Sequence, residues 1–164
     1  PGFTCIRKDR TEIGKGYGGI VIYVREGLPF QVRSDLHSSE HECLWIEIIR
    51  PKCRLTLICC AYRAPNIDFT DFTSNFNNCM KNIKLDKCDL VCLEDLNVNL
   101  LLKEQREGDL LKFMNVFDLT QLITDAIRVT ETTHTLLDVI LVNNDHRITD
   151  FSVVSKLILQ ITRL

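Results

Sequence analysis

Leu90–Asn99, LVCLEDLNVN, decides the fold. Leu90, Val91, Cys92 and Leu93 form an apolar run with the length and composition of a strand buried on both faces, and the run stops at Glu94, Asp95, Leu96 and Asn97. Carboxylates therefore arrive at the end of a core strand. In open α/β architectures ligands bind just past the carboxyl ends of such strands, where a rigid sheet fixes side chains that loops leave mobile. Asp95 is the first candidate for chemistry. The plain alternative is a solvated acidic turn, since Asp and Asn are common turn residues.

Upstream of this stretch, Arg54–Tyr62 (RLTLICCAY) reads as a central strand and Cys43–Ile49 (CLWIEII) as its antiparallel neighbour, joined by a turn at Pro51-Lys52. Polar groups again stand at a strand exit, here Tyr62, Arg63, Ala64, Pro65 and Asn66. A helix follows, capped by Asp68 or Asn66, with Phe69, Phe72, Phe76, Cys79 or Met80, and Ile83 at helical spacing. That stripe is core packing. Strand, covering helix and second strand make a right-handed crossover, which brings the two exits together so that Tyr62 and Asp95 face one cleft.

Downstream, the polar segment Lys103–Gly108 leads into a second amphipathic helix carrying Leu110, Leu111, Met114 and Phe117, capped by Asp109 or begun a turn earlier at Glu107. Gln121–Thr124 and Leu136–Val142 read as short strands, the second interrupted by Asp138. A carboxylate inside an apolar strand needs a partner or an open end. Phe151–Val154 and Lys156–Ile161 read as one or two terminal strands. Near the start, Gly14, Gly16, Gly18 and Gly19 precede a β-rich segment instead of opening a helix, so they mark a hairpin turn and not a phosphate loop.

With 164 residues the chain has the length of one domain, and 20 basic against 22 acidic residues leave no basic excess of the kind that a sequence-independent DNA binder carries. Eight cysteines fall in apolar patterns without CxxC pairs or His at zinc spacing, and read as reduced core thiols of an intracellular protein, nuclear or cytoplasmic. No stretch approaches the roughly 20 apolar residues of a membrane span, and no protein partner is signalled. The chain opens on Pro1, which reads as the interior of a longer domain.

Taken together, the order strand, YRAP (Tyr62 to Pro65), helix, LEDLN (Leu93 to Asn97), helix, RVTETTHTLLDVILVNN (Arg128 to Asn144) resembles the endonuclease/exonuclease/phosphatase domain of LINE-type (non-LTR) retrotransposons, over nearly the whole chain from Phe3 to Val154. More distantly it is similar to apurinic/apyrimidinic endonucleases and pancreatic deoxyribonuclease. The resemblance implies an α/β fold, the four-layer α-β-β-α DNase I-like sandwich, here a single partial domain spanning 1–164, truncated at the N-terminus and altered at the C-terminus. It also implies Mg²⁺-dependent phosphodiester hydrolysis with DNA as substrate. Asp95 matches the residue that orients or activates water, and Asn97, two residues on and so pointing the same way in an extended segment, the one that hydrogen-bonds phosphate and metal shell. Tyr62 matches the contact to the scissile phosphate, and Asp138 the residue that holds a catalytic His in its tautomer. Arg63 and Thr135 fall at substrate-contacting positions. Asp95 and Asn97 are the nearest approach to metal ligands.

Several positions depart from the pattern. The Gly before the first Asp is Glu94 and the Phe after it is Leu96; a Pro-Thr-Arg triplet falls at Ala126-Ile127-Arg128; the His after the second Asp is Val139. The closing Ser-Asp-His falls at Leu159-Gln160-Ile161, and His37, His41, His134 and His146 all lie upstream of it. The N-terminal Asn and the metal-ligand Glu have no counterpart within the chain. Loss of one member of an interdependent site costs several powers of ten in rate, so the expectation is a phosphodiesterase with impaired or absent catalysis. A non-catalytic remnant, acting at most as a nucleic-acid or protein interaction module, is the alternative; a small-molecule phosphatase of the same superfamily is a third reading.

Overall fold

The chain begins with an antiparallel pair, β1 (Phe3–Asp9) and β2 (Gly19–Arg25), in a computed structural model that describes residues 2–10, 18–37, 42–102, 105–148, 150–155 and 158–163. Gly14, Gly16, His41, Lys103 and Lys156, which figure in the sequence reading, lie outside these residues. The sequence assigns Phe3–Asp9 no element; Gly18 and Gly19 lead into β2, which pairs with β1 as a hairpin.

Next come β3 (Phe30–Val32), β4 (Glu42–Ile48), β5 (Leu55–Tyr62), α1 (Phe69–Met80), β6 (Cys88–Asp95), α2 (Gln105–Phe117), β7 (Thr120–Gln121), β8 (Arg128–Val129), β9 (His134–Thr135), β10 (Asp138–Val142), β11 (Asp150–Ser155) and β12 (Ile158–Arg163). Six of these strands form one mixed sheet in the order β3-β4-β5-β6-β10-β7. Among the described strands only β5 and β6 run parallel, joined by the crossover through α1; β4 and β10 flank them antiparallel. The strand that carries Asp95 is therefore central.

Alternation along the strands sorts side chains between two cores. Cys43, Trp45, Leu57, Cys59 and Ala61 join the cluster under the helices, whereas Ile46, Ile48 and Ile58 pack with Val24, Ile6 and Ile22 of the β1–β2 hairpin. Sheet-on-sheet packing is thus present, with both helices on the other side of the large sheet. These are three layers of the sandwich; the outer helical layer beyond the second sheet has no counterpart among the described residues.

Asp68 caps α1, its Oδ1 accepting from the Thr70 amide at 2.7 Å, and the stripe Phe69, Phe72, Phe76 and Met80 is buried as its spacing predicts. Phe76 stacks on Trp45 at 5.7 Å and meets Phe113 of α2 at 5.5 Å, tying sheet and both helices together. α2 starts at Gln105, earlier than either expected boundary, and Asp109 lies inside it, paired with Lys112 at 2.9 Å. Gln105–Glu107 are good helix formers, but the apolar stripe begins only at Leu110, so periodicity does not see the first turn. The cysteines are free thiols, yet Cys5 and Cys53 are exposed; Cys53 sits in the β4–β5 turn, where strand patterning gives no burial. Among the described residues no helix is long and apolar enough to cross a membrane.

Candidate active site

At one end of the large sheet, four polar residues form a row across four strands. Glu42 of β4 is the register partner of Tyr62 on β5, Tyr62 of Asp95 on β6, and Asp95 of Asp138 on β10. Directly opposed residues share a face, so the row lies on one side, away from the helices. The two strand exits meet as the crossover predicts, and Tyr62 and Asp95 are brought together.

Asp138 is the first residue of β10, not an interior one. The preceding Leu136 and Leu137 instead bond the β6 exit: their carbonyls accept from the amides of Leu100 and Leu96, both at 2.9 Å. Its carboxylate is buried beside that of Asp95, and burial followed by repulsion from Asp95 pushes it up to about 6, against the lowering influence of Arg128. The partner that Asp138 needs is an arginine: among the described ion pairs, Arg128 Nη2 lies 3.7 Å from Asp138 Oδ2 and 3.5 Å from Asp95 Oδ2. His134 is exposed on β9 and His146 pairs with Asp145. Arg128 is the partner of both carboxylates that the sequence does not single out, although an Asp in an apolar strand signals the need for some partner.

The other wing of the row has its own guanidinium. Arg10 Nε donates to Glu42 Oε1 at 2.6 Å, and its guanidinium carbon lies 5.3 Å from the centre of the Tyr62 ring. This stacking fixes the ring from one side. No sequence signal points to Arg10, because the contact depends on the hairpin's packing over β4 and β5.

Asn97 comes beside Asp95 by a different route from the one expected. It does not continue an extended segment; its φ is 50°, a left-handed conformation that Asn tolerates, and its amide donates to Asp95 Oδ1 at 3.1 Å. Its Nδ2 donates to the Arg63 carbonyl at 3.0 Å. Arg63 differs from the expected substrate contact. It is 3% exposed, and its guanidinium donates to the carbonyls of Leu96 (2.6 Å), Asn97 (3.0 Å), Ala64 (3.4 Å) and Ile67. The side chain thereby holds the β5 exit, the β6 exit and the approach to α1 in one piece. Thr135 is the register partner of Arg128 in the β8–β9 pair, and its carbonyl accepts from the Ile127 amide at 3.0 Å. It is half-buried and flanks the site through Arg128.

Glu94 points the other way, as strand alternation requires. It is 3% exposed and lies under the helices against Phe69, Phe72, Phe76, Leu110 and Phe113, with Oε1 lacking a hydrogen-bond partner among the described residues. Burial pushes its carboxyl up to about 8, so it is a neutral acid at pH 7 and takes no part in the row.

The Mg²⁺ implied by the resemblance demands near-octahedral oxygen ligation. Asp95 and Asp138 offer facing carboxylates, but a guanidinium already spans them, and the described residues contain no group of three His, Cys, Asp or Glu able to hold a metal ion. As they stand, these residues do not fit a divalent ion.

The fold is that of DNase I-like endonuclease/exonuclease/phosphatase domains. Among solved structures, the endonuclease domain of TRAS1, a telomere-specific non-LTR retrotransposon, matches with a TM-score of 0.75 and 16% identity, over 96% of this chain and 75% of that one. An endonuclease/exonuclease/phosphatase family protein from Bacteroides thetaiotaomicron gives a TM-score of 0.59 at 15% identity, and ANGEL2, a 2′,3′-cyclic phosphatase, 0.52 at 11%. These two are matched over 87% and 86% of this chain, which spans only 60% and 63% of their lengths. No family model matches the sequence, and no curated protein matches it significantly.

Proposed function

We propose that the chain is a phosphodiester-hydrolysing domain of the DNA endonuclease type found in non-LTR retrotransposons, working at a strongly reduced rate. The observation that carries this reading is the row Tyr62, Asp95, Asp138 at the strand exits, with Asn97 folded onto Asp95. Hydrolysis needs a water aimed in line with the leaving oxygen, a group to take its proton, and neutralisation of the charge that grows on the phosphate. Asp95 is the proton acceptor. Tyr62 donates its hydroxyl to a non-bridging phosphate oxygen, and the second N–H of the Asn97 amide reaches the same phosphate. Arg128 supplies positive charge. A guanidinium spreads that charge and offers no open position at which to activate water, which is the reason for the reduced rate.

Nicking of supercoiled plasmid DNA in Mg²⁺ buffer tests this, beside Asp95→Ala. Slow nicking that falls to background in Asp95→Ala is expected. Absence of any Asp95-dependent nicking overturns the reading in favour of a non-catalytic module, and rapid multiple turnover overturns the reduced rate.

A further inference from the structure

Two carboxylates set directly opposite each other on antiparallel strands repel, and the cost grows as they are withdrawn from water. Asp95 and Asp138 are such a pair, with side chains only 17% and 10% exposed. What makes the arrangement tenable is Arg128. Its Nη2 sits 3.5 Å from one carboxylate and 3.7 Å from the other, and its buried Nε has no hydrogen-bond partner among the described residues. The backbone delivers it there: Arg128 faces Thr135 across the β8–β9 pair, the turn between them is closed by the Thr130 amide donating to the Thr133 carbonyl at 2.8 Å, and three residues after Thr135 the chain reaches Asp138. Arginine and second carboxylate belong to one short folded unit that docks on Asp95.

We propose that Arg128 is the resident cation of this site, bridging Asp95 and Asp138 in the space between carboxylates that a divalent ion would need, so that the chain binds a divalent cation only when Arg128 is removed. The proposal rests on the reading of this row as a phosphodiesterase site, but concerns its cation and not its turnover. A guanidinium tethered to the same fold sheds only weakly held water to meet the two carboxylates, whereas Mg²⁺ or Mn²⁺ must shed tightly held water and displace the arginine to reach the same oxygens. Arg128 thus acts as a positioning residue for both acids and as a competitor of metal.

Mn²⁺ binding to the whole chain, read from loss of the free-ion paramagnetic resonance signal, tests the proposal without any measurement of hydrolysis. The wild type is expected to show no saturable binding in the low millimolar range. Arg128→Gln should gain one saturable site at least about tenfold tighter, and Arg128→Gln combined with Asp138→Asn should lose it. Arg128→Lys, which keeps the charge, should stay near wild type. Saturable binding by the wild type at one site, or a Gln variant that melts as a folded protein yet gains no Mn²⁺ affinity, overturns the proposal. Should the Gln variant not fold, wild type and Arg128→Lys decide: tight binding by either overturns it, and weak binding by both upholds it. Nicking by the wild type is scored separately, so failure of the proposed function and failure of the resident cation give different patterns.

Discussion

Tyr62 and Asp95 are register partners at the last positions of β5 and β6, the two parallel strands at the centre of the sheet. A sheet position is rigid, so the hydroxyl and the carboxylate are held together without any loop having to order itself on substrate. Tyr62→Phe keeps the ring, and with it the contact to Arg10 at 5.3 Å, while removing one of the two donors proposed for the phosphate, the other being Asn97 Nδ2. Nicking is expected to drop about tenfold or more with an unchanged melting temperature. Equal rates for the two proteins would remove Tyr62 from the chemistry.

Arg63 makes the opposite prediction. Four carbonyls on two exits converge on its buried guanidinium, and truncation leaves several of them buried without donors. Arg63→Ala should destabilise the fold by about 3 kcal/mol or more, seen as an earlier urea midpoint. Arg63→Lys should recover only part of this, because an ammonium cannot reproduce the planar fork. A substrate-contacting arginine would instead leave the midpoint where it was and weaken DNA binding.

The contrast between Tyr62 and Arg63 shows what was legible in the sequence. Strand patterning, the crossover rule and the acidic strand end suffice to bring Tyr62 and Asp95 to one place, because each is a local property of a run of residues; Asp138 is marked only as a carboxylate in need of a partner, and it joins them through the antiparallel pairing of β10 with β6. What a guanidinium does once there is decided by tertiary contacts between distant segments. Arg63 reads as a cleft residue and turns out to be a tie between loops; Arg128 reads as a remnant of a motif and turns out to bridge Asp95 and Asp138; Arg10 carries no signal at all. Asn97 has the right neighbour for the wrong reason, since the alternation argument ends with the strand and a left-handed turn takes over.

That turn can be tested directly. At φ 50° a β-carbon is strained, and Asn97 is held there by a tertiary bond, its Nδ2 donating to the carbonyl of Arg63 on the neighbouring strand exit. Asn97→Gly relieves the backbone and loses the bond; Asn97→Ala loses the bond and keeps the strain. Asn97→Ala should therefore be less stable than Asn97→Gly by about 1 kcal/mol, with both variants losing nicking. Denaturant midpoints in which alanine equals or exceeds glycine would show that the backbone is not held in this conformation.

Glu94 governs the alkaline side of stability. Its folded-state value of about 8 lies above the ordinary 4.5, because burial under the helices disfavours the anion. The folded protein thus holds a proton that the unfolded chain has released, so the stabilising contribution is fully present below 4.5 and is lost as pH rises through about 8. Asp138 adds a slope of the same sign that is half spent at about 6, and His37, whose imidazole burial holds below its ordinary 6.5, adds one of opposite sign that ends near 6.5, which leaves the interval from about 7 to about 8 to Glu94. In that interval the wild type should lose stability with a slope of at most about 1.4 kcal/mol per pH unit. Glu94→Gln keeps the shape and removes the titrating group, so its denaturant midpoint should be flat over the same interval and should overtake the wild type toward pH 8. Parallel pH profiles for the two proteins would mean that Glu94 reaches water or a partner as an anion, and that the acid packed under Phe69, Phe76 and Phe113 is not held neutral.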